Sequence, residues 1–167
     1  MWLTVSHNPQ AAKPAYEEWK GEYKMPFEIN VPSLSGSITN AHLTEQGGVT
    51  PVNIVSSAQG FGAHIEWELC GWLAQWLPGN WRLCLLLESI GPGSEYSLPA
   101  PADSVPLSSG TPAPGDCRTF VHDISIPAGN VTPGTYRAVI SLTYEVAPGT
   151  PGPMAGHANL DYVQIYA

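Results

Sequence analysis

Residues 136–146 read YRAVISLTYEV, and this stretch decides the class of fold. Apolar or aromatic side chains occupy the even positions from Tyr136 to Val146, whereas the odd positions carry charged or polar residues and one valine. Successive side chains of a β-strand point to opposite faces of the sheet. The alternation therefore predicts a long strand with one face in a core.

Shorter stretches on both sides of this strand carry the same signal. Alternation or β-branched runs predict strands at 27–31, 37–44, 52–55, 63–70, 81–90, 120–126 and 159–166. The last stretch changes phase between Tyr162 and Val163, which indicates a β-bulge. Residues 81–90 are apolar on most of both faces, which is typical of a central strand. Six prolines in residues 91–116 predict a long irregular loop instead.

The number and spacing of these strands predict the architecture. Seven or eight short strands with turn signals between them, and no long helix, favour an all-β antiparallel sandwich. A length of 167 residues suits one such domain, with 43% hydrophobic residues to fill its core. We expect an N-terminal arm at residues 1–25 and the β-sandwich domain at residues 26–167.

The charges of the chain are few and mostly negative. The formal net charge is −8 at pH 7, and all the lysines lie near the N-terminus. No basic stripe can form in the remainder, which disfavours binding to nucleic acid or to an anionic membrane surface. No apolar run approaches the roughly 18 residues that span a bilayer. We therefore expect an acidic, soluble protein without membrane insertion.

Two aromatic positions resemble a known architecture. Trp67 lies on the apolar face in the middle of strand 63–70, and Tyr136 follows Pro133-Gly134-Thr135 at the start of the late strand. This placement is similar to immunoglobulin-like and fibronectin type III-like sandwiches. The resemblance implies the sandwich architecture, with Tyr136 as the tyrosine corner, and no particular function. The chain departs from antibody domains because it lacks the two cysteines that flank the tryptophan there.

The cysteines Cys70, Cys84 and Cys117 are odd in number. This argues against a disulfide framework and, with an N-terminus that lacks signal-peptide features, favours a cytoplasmic protein. Cys70 and Cys84 would share one face of a predicted hairpin. There they would either form a disulfide or remain two small, partly buried thiols. Cys117 is expected in a loop, directly before the strand at 120–126.

None of the local motifs that mark common catalytic sites is present. The sequence has no G-x-S-x-G, no phosphate-binding P-loop and no G-x-G-x-x-G, so we predict a protein that is not an enzyme and needs no cofactor. His122 shares a strand face with apolar residues, and we expect it to be a hydrogen-bonded histidine rather than a metal ligand.

One predicted strand carries several ionisable side chains on a single face, namely His64, Glu66 and Glu68. With Glu88 on the next strand, they would either bind a cation or form an ordinary polar face. In the second case, Glu68 would pair with Arg82 across the strands. We favour the polar face and predict no metal ligands.

The connection between strands 63–70 and 81–90 carries two tryptophans, Trp72 and Trp76, and we call residues 71–80 the tryptophan segment. Large apolar side chains in a connection mark a binding surface for a protein or a sugar, since exposed aromatics suit both. Alternatively, the segment folds back and caps the end of the sandwich, because such side chains rarely stay in water.

The arm adds a second aromatic group. Tyr16, Trp19 and Tyr23 recur at helical spacing and would share one face of a short helix, which needs a surface to dock on. With Trp72 and Trp76, they are the predicted binding residues. They favour a non-catalytic protein–protein interaction, as a structural subunit of a larger assembly with a protein partner or with itself. The alternative is a carbohydrate-binding module, and the third hypothesis is an enzyme whose site is not visible in the sequence.

Overall fold

The structure, a computed structural model, describes residues 25–167. The arm predicted at residues 1–25 lies outside this range except for Met25, as do Tyr16, Trp19 and Tyr23. The described strands are β1 (Phe27–Ile29), β2 (Ser35–Glu45), β3 (Ile54–Ser56), β4 (Phe61–Cys70), β5 (Asn80–Ser89), β6 (Tyr96–Pro106), β7 (Thr111–Ala113), β8 (Cys117–Ile126), β9 (Gly134–Ala147) and β10 (Thr150–Tyr166). Two short 3₁₀ helices span Trp72–Gln75 and Leu107–Ser109. Within residues 25–167, no helix has the length and apolar character needed to cross a membrane.

The strands form two sheets. The six-stranded sheet has the order β1-β10-β9-β5-β6, with β3 also paired to β10, and the four-stranded sheet has the order β2-β4-β8-β7. Neighbouring strands are antiparallel except for β3 and β10. The predicted all-β antiparallel sandwich is therefore confirmed. The described residues form ten strands, however, where the sequence predicted seven or eight.

The core lies between the sheets and is built from alternate side chains of their strands. Burial alternates along β4 and β9, as the sequence pattern predicts. At the centre, Trp67 stacks on Phe120 with 5.2 Å between ring centroids, and Trp81 packs edge-on against both rings. Full burial of a large apolar side chain contributes about 1.5–3 kcal/mol, so this cluster is a main source of stability.

Residues 91–116 are more regular than their prolines predicted. They contain β6, which pairs with β5, and β7, which pairs with the start of β8. Both are edge strands, and on the free side of an edge strand the missing N–H of a proline breaks no ladder. Pro99 and Pro101 also fall within residues 99–102, which drop out of the ladder where the register of β6 shifts.

The last strand is longer than predicted, because the Pro/Gly stretch from Thr150 to Gly156 already belongs to it. Its register shifts between Asn159 and Tyr162, so this strand is bulged as predicted, but the bulge lies just before Tyr162 and not between Tyr162 and Val163. β5 is hydrogen-bonded on both sides, as predicted for a central strand, although its outer face is only half-buried.

Candidate functional site

The tryptophan segment crosses from the four-stranded sheet to the six-stranded sheet, between β4 and β5. Its 3₁₀ helix spans Trp72–Gln75 and is capped by Trp76. Ala74 and Leu77 pack against the core. Trp72 and Trp76 are 61% and 78% exposed.

The sequence allowed two interpretations of this segment, a binding surface or a cap on the end of the sandwich, and each describes part of it. Ala74 and Leu77 close the end of the core, as expected for a segment that folds back. Trp72 and Trp76 nevertheless remain exposed, although large apolar side chains are usually buried. These two rings are therefore the candidate binding surface.

The segment begins at Gly71, whose backbone geometry requires glycine. Its φ of +122° is a conformation that L side chains rarely adopt, and a Cβ at this position would overlap the carbonyl oxygen of Ser33. The N–H of Gly71 donates to the carbonyl oxygen of Asp116 at 3.1 Å. Gly71 thus fixes the angle at which the chain leaves β4.

Hydrogen bonds fasten the remainder of the segment to the sandwich. Arg118 of β8 donates from Nη1 to the carbonyl oxygen of Leu107 at 2.8 Å and from Nη2 to that of Gln75 at 3.4 Å. The Tyr144 hydroxyl donates to the carbonyl oxygen of Pro78 at 2.7 Å. Because the segment is tied at its beginning, middle and end, the two tryptophans stand on a fixed backbone.

A group of polar side chains lies on the outer face of the four-stranded sheet. We call it the outer polar cluster, and it comprises Asn40, His42, His64, Glu66 and Asp123. His64 lies 2.7 Å from Asp123 Oδ1 through Nδ1 and 3.0 Å from Glu66 Oε1 through Nε2. Asn40 Nδ2 donates to the same Glu66 oxygen at 3.1 Å, and the ring of His42 lies 5.0 Å from that of His64.

The two carboxylates determine the charge of His64. Burial is the largest single influence and favours the neutral ring, but the hydrogen bonds to Glu66 and Asp123 and their negative charges together outweigh it. They raise the pKa of His64 above its ordinary value of 6.5. Hydrogen bonds from His64 and Asn40 lower the pKa of Glu66 below its ordinary value of 4.5. When His64 is protonated, its imidazolium can donate to both carboxylates, one from each nitrogen.

This arrangement suits an ion cluster better than acid–base catalysis. A histidine that acts as a general base needs a free nitrogen, and both nitrogens of His64 are engaged. The four residues of the alternative cation site do not converge either. Glu68 accepts a hydrogen bond from Ser37 Oγ at 2.8 Å, and Glu88 lies in the other sheet with its Oε2 3.6 Å from Arg137 Nη1.

The predicted pairing of Glu68 with Arg82 is also wrong, because β4 and β5 belong to different sheets. Arg82 Nε instead lies 3.7 Å from Glu145 Oε2 on β9. His122 is hydrogen-bonded, as expected, with its Nε2 2.9 Å from Asp103 Oδ2. Since Asp103 belongs to β6, this contact joins the two sheets.

The cysteines pair differently from the sequence prediction. Cys70 ends β4 and is bonded to Cys117, which begins β8 directly opposite it in the ladder. Cys84 is a free thiol on β5, in the other sheet. The predicted hairpin of Cys70 and Cys84 does not form, because the tryptophan segment carries the chain across the sandwich. The odd cysteine count argued against disulfides, and the Cys70–Cys117 bond corrects that expectation.

Glu68 lies beside this disulfide, on the same face of the four-stranded sheet. One of its carboxylate oxygens and the sulfurs of Cys70 and Cys117 all lie within 4.8 Å of one another. Sequence reasoning missed this group because it assigned Cys117 to a loop. The only signal in the sequence was that Cys117 and Thr119 continue the two-residue period of the strand predicted at 120–126. Two residues are too few to predict that β8 begins at Cys117.

Three features therefore stand out on the described surface: the exposed tryptophans, the outer polar cluster, and Glu68 with the disulfide. No protein-family model matches this chain, and a comparison with curated proteins gives no match either.

Proposed function

We propose that this chain is a non-catalytic binding module that presents Trp72 and Trp76 to a protein partner. The observation that carries the proposal is the high exposure of both side chains on a backbone held by Gly71 and Arg118. Tryptophan is enriched among the few residues that supply most of the binding energy in protein interfaces.

Because Trp72 and Trp76 are exposed, a partner that buries them gains the free energy of that burial. Burial of a large apolar side chain contributes about 1.5–3 kcal/mol, and at Trp72 and Trp76 most of this gain remains to be made. A fixed backbone also loses little conformational entropy when the partner binds. Both effects favour a specific interface at this end of the sandwich.

The shape and charge of the module indicate the chemistry of the partner. Trp72 begins the 3₁₀ helix and Trp76 caps its C-terminal end, so both exposed rings belong to one turn of the chain. Residues 25–167 contain three arginines and no lysine, against 11 acidic residues. We therefore expect apolar pockets with a basic rim on the partner, and binding that weakens as salt is added.

The test uses the full-length protein with Trp72→Ala, Trp76→Ala and a matched control, Tyr162→Ala. Tyr162 is 64% exposed and lies on β10, away from the tryptophan segment. Light scattering behind size exclusion measures self-association over a range of concentrations, and quantitative capture from the organism's own extract measures other partners. We expect each tryptophan variant to weaken the interaction by at least about tenfold, as for a residue that dominates an interface.

The control should bind like the wild type. A partner that both tryptophan variants retain at wild-type strength would contradict the proposal. The arm remains a second predicted contact through Tyr16, Trp19 and Tyr23. Deletion of residues 1–24 should then weaken assembly, and normal assembly of the truncated protein would remove the arm from the proposal.

A carbohydrate ligand is the second candidate, favoured by the same exposure of Trp72 and Trp76. In that case, a soluble polysaccharide should quench tryptophan fluorescence, and Trp72→Ala should abolish the response. Absence of quenching across a broad glycan panel would leave the protein partner as the remaining hypothesis.

We also infer that the sandwich is immunoglobulin-like. The Tyr136 hydroxyl donates to the carbonyl oxygen of Thr132, four residues upstream, at 2.9 Å. A tyrosine corner makes this kind of contact. The stacking of Trp67 on Phe120 in the core supports the same inference.

A further inference from the structure

The disulfide and its neighbouring carboxylate combine the donor atoms of a metal site. Cys70 and Cys117 end and begin directly paired strands, with 4.0 Å between their Cα atoms, and Glu68 precedes Cys70 by two residues on the same face. One oxygen of Glu68 and both sulfurs lie within 4.8 Å of one another. Two thiolates and a carboxylate are common ligands of zinc.

The surroundings hold Glu68 in place. Ser37 of β2 donates from Oγ to Glu68 Oε1 at 2.8 Å, which leaves the other carboxylate oxygen free to bind. Hydrogen bonds of this kind orient a ligand and strengthen its binding of metal. Glu68, Cys70 and Cys117 are all partly exposed, so a reductant and a metal ion can reach them.

We propose that reduction of the Cys70–Cys117 disulfide creates a zinc site formed by Glu68, Cys70 and Cys117. A dithiol reductant transfers two electrons and two protons to the disulfide, and its own two thiols become a disulfide. The protein's two thiols then release two protons as they bind zinc as thiolates. A water molecule completes the four-coordinate site.

The strands require little movement for this exchange. Tetrahedral zinc, with bonds of about 2.3 Å to sulfur, holds two sulfurs roughly 3.8 Å apart. The Cα atoms of Cys70 and Cys117 are 4.0 Å apart, which places both side chains within reach of one zinc ion. Rotation of the cysteine side chains therefore suffices, and the metal keeps β4 and β8 joined after the covalent link is broken. This inference does not depend on the proposed partner of the tryptophan segment.

The test is a titration of the full-length protein with Co²⁺, which reports thiolate ligands by a charge-transfer absorption, followed by competition with Zn²⁺. A phosphine reductant replaces the dithiol, because dithiols themselves bind these metals. The reduced wild type should bind one Co²⁺ per chain with this absorption, and Zn²⁺ should displace it. The oxidised wild type should show no charge-transfer absorption.

Three variants assign the ligands. Cys117→Ser should abolish the charge-transfer absorption, and Glu68→Gln should weaken binding by at least about tenfold, as when a site loses a ligand or its support. Cys84→Ser should bind like the wild type. Glu68→Gln keeps both cysteines, so it tests the site even if Cys117→Ser fails to fold. Absence of the absorption in the reduced wild type, loss of binding in Cys84→Ser, or full affinity in Glu68→Gln would overturn the proposal.

Discussion

His64 and Asp123 occupy directly paired positions on β4 and β8, and His64 Nδ1 lies 2.7 Å from Asp123 Oδ1. The other ring nitrogen faces Glu66, so the ring of His64 joins two carboxylates on the outer face of the sheet. Such a cluster links the stability of the fold to pH, because its groups have different pKa values in the folded and unfolded chain.

Stability should fall as pH rises above about 6.5, the ordinary pKa of histidine. The folded pKa of His64 is raised, so its contribution is complete below that pH and is lost as pH rises through the raised pKa. The loss of unfolding free energy between low and high pH should stay below about 1 kcal/mol, because the carboxylates that pair with His64 are largely exposed. Urea unfolding from pH 5 to 9 measures it, with His64→Gln as the variant and His157→Gln as the control. Parallel profiles for the wild type and His64→Gln would contradict this prediction.

Glu66 should have the opposite effect at acid pH. Its folded pKa is lowered below 4.5, so its contribution is complete above pH 4.5 and is lost as pH falls through the lowered pKa. Glu66→Gln should therefore flatten the acid side of the stability profile. The same unfolding series, extended to pH 3, checks this, and an unchanged acid slope in Glu66→Gln would show that other carboxylates are responsible.

The disulfide should stabilise the four-stranded sheet strongly in metal-free buffer. It links residues 47 positions apart. Closing a loop of this length lowers the conformational entropy of the unfolded chain, which stabilises the folded state by about 4 kcal/mol. We expect Cys117→Ser, or reduction in the presence of a chelator, to lower the free energy of unfolding by an amount of this order. Cys84→Ser should respond to the reductant like the wild type. Equal stability of the oxidised and reduced wild type would refute the prediction.

Alternation predicted the strands that carry the core, because β4, β5, β8 and β9 each bury one face. It missed β6, whose prolines lie at an edge and at a register shift, where they break no ladder. Proline content is therefore a weaker signal at a sheet edge than at its centre.

Sequence reasoning failed most clearly in the pairing of strands. Nothing in the sequence of residues 71–80 shows that the chain leaves one sheet for the other, so the sequence alone predicts a hairpin that brings Cys70 beside Cys84 and Glu68 beside Arg82. Each of these pairings depends on contacts between distant parts of the chain. The sequence does not decide the exposure of Trp72 and Trp76 either, because it depends on which side chains of the segment pack on the core.

Gly71 should tolerate no side chain. A Cβ there would overlap the carbonyl oxygen of Ser33, in addition to the strain of a positive φ. Gly71→Ala should therefore lower the free energy of unfolding more than Gly149→Ala does. Gly149 also has a positive φ, of +76°, but a Cβ added there would have nothing within 4 Å. We expect about 1 kcal/mol at Gly149 and at least twice that at Gly71, by urea unfolding. Equal costs would mean that the tryptophan segment can shift freely.

The corner around Tyr136 should contribute through its hydroxyl group. That hydroxyl donates to the Thr132 carbonyl oxygen, and the Thr132 side chain lies 3.0 Å from both Tyr136 Oη and Tyr96 Oη. Tyr136 is 1% exposed, so Tyr136→Phe should leave the carbonyl oxygen poorly satisfied and cost about 1–2 kcal/mol. Tyr96→Phe removes a hydroxyl whose contacts with the Thr132 hydroxyl and with the Thr132 N–H, which donates to it at 3.2 Å, are both exposed, so it should lower the stability less. Urea unfolding of both variants decides the question, because a loss at Tyr136 no larger than at Tyr96 would show that the ring, and not its hydrogen bond, holds the corner.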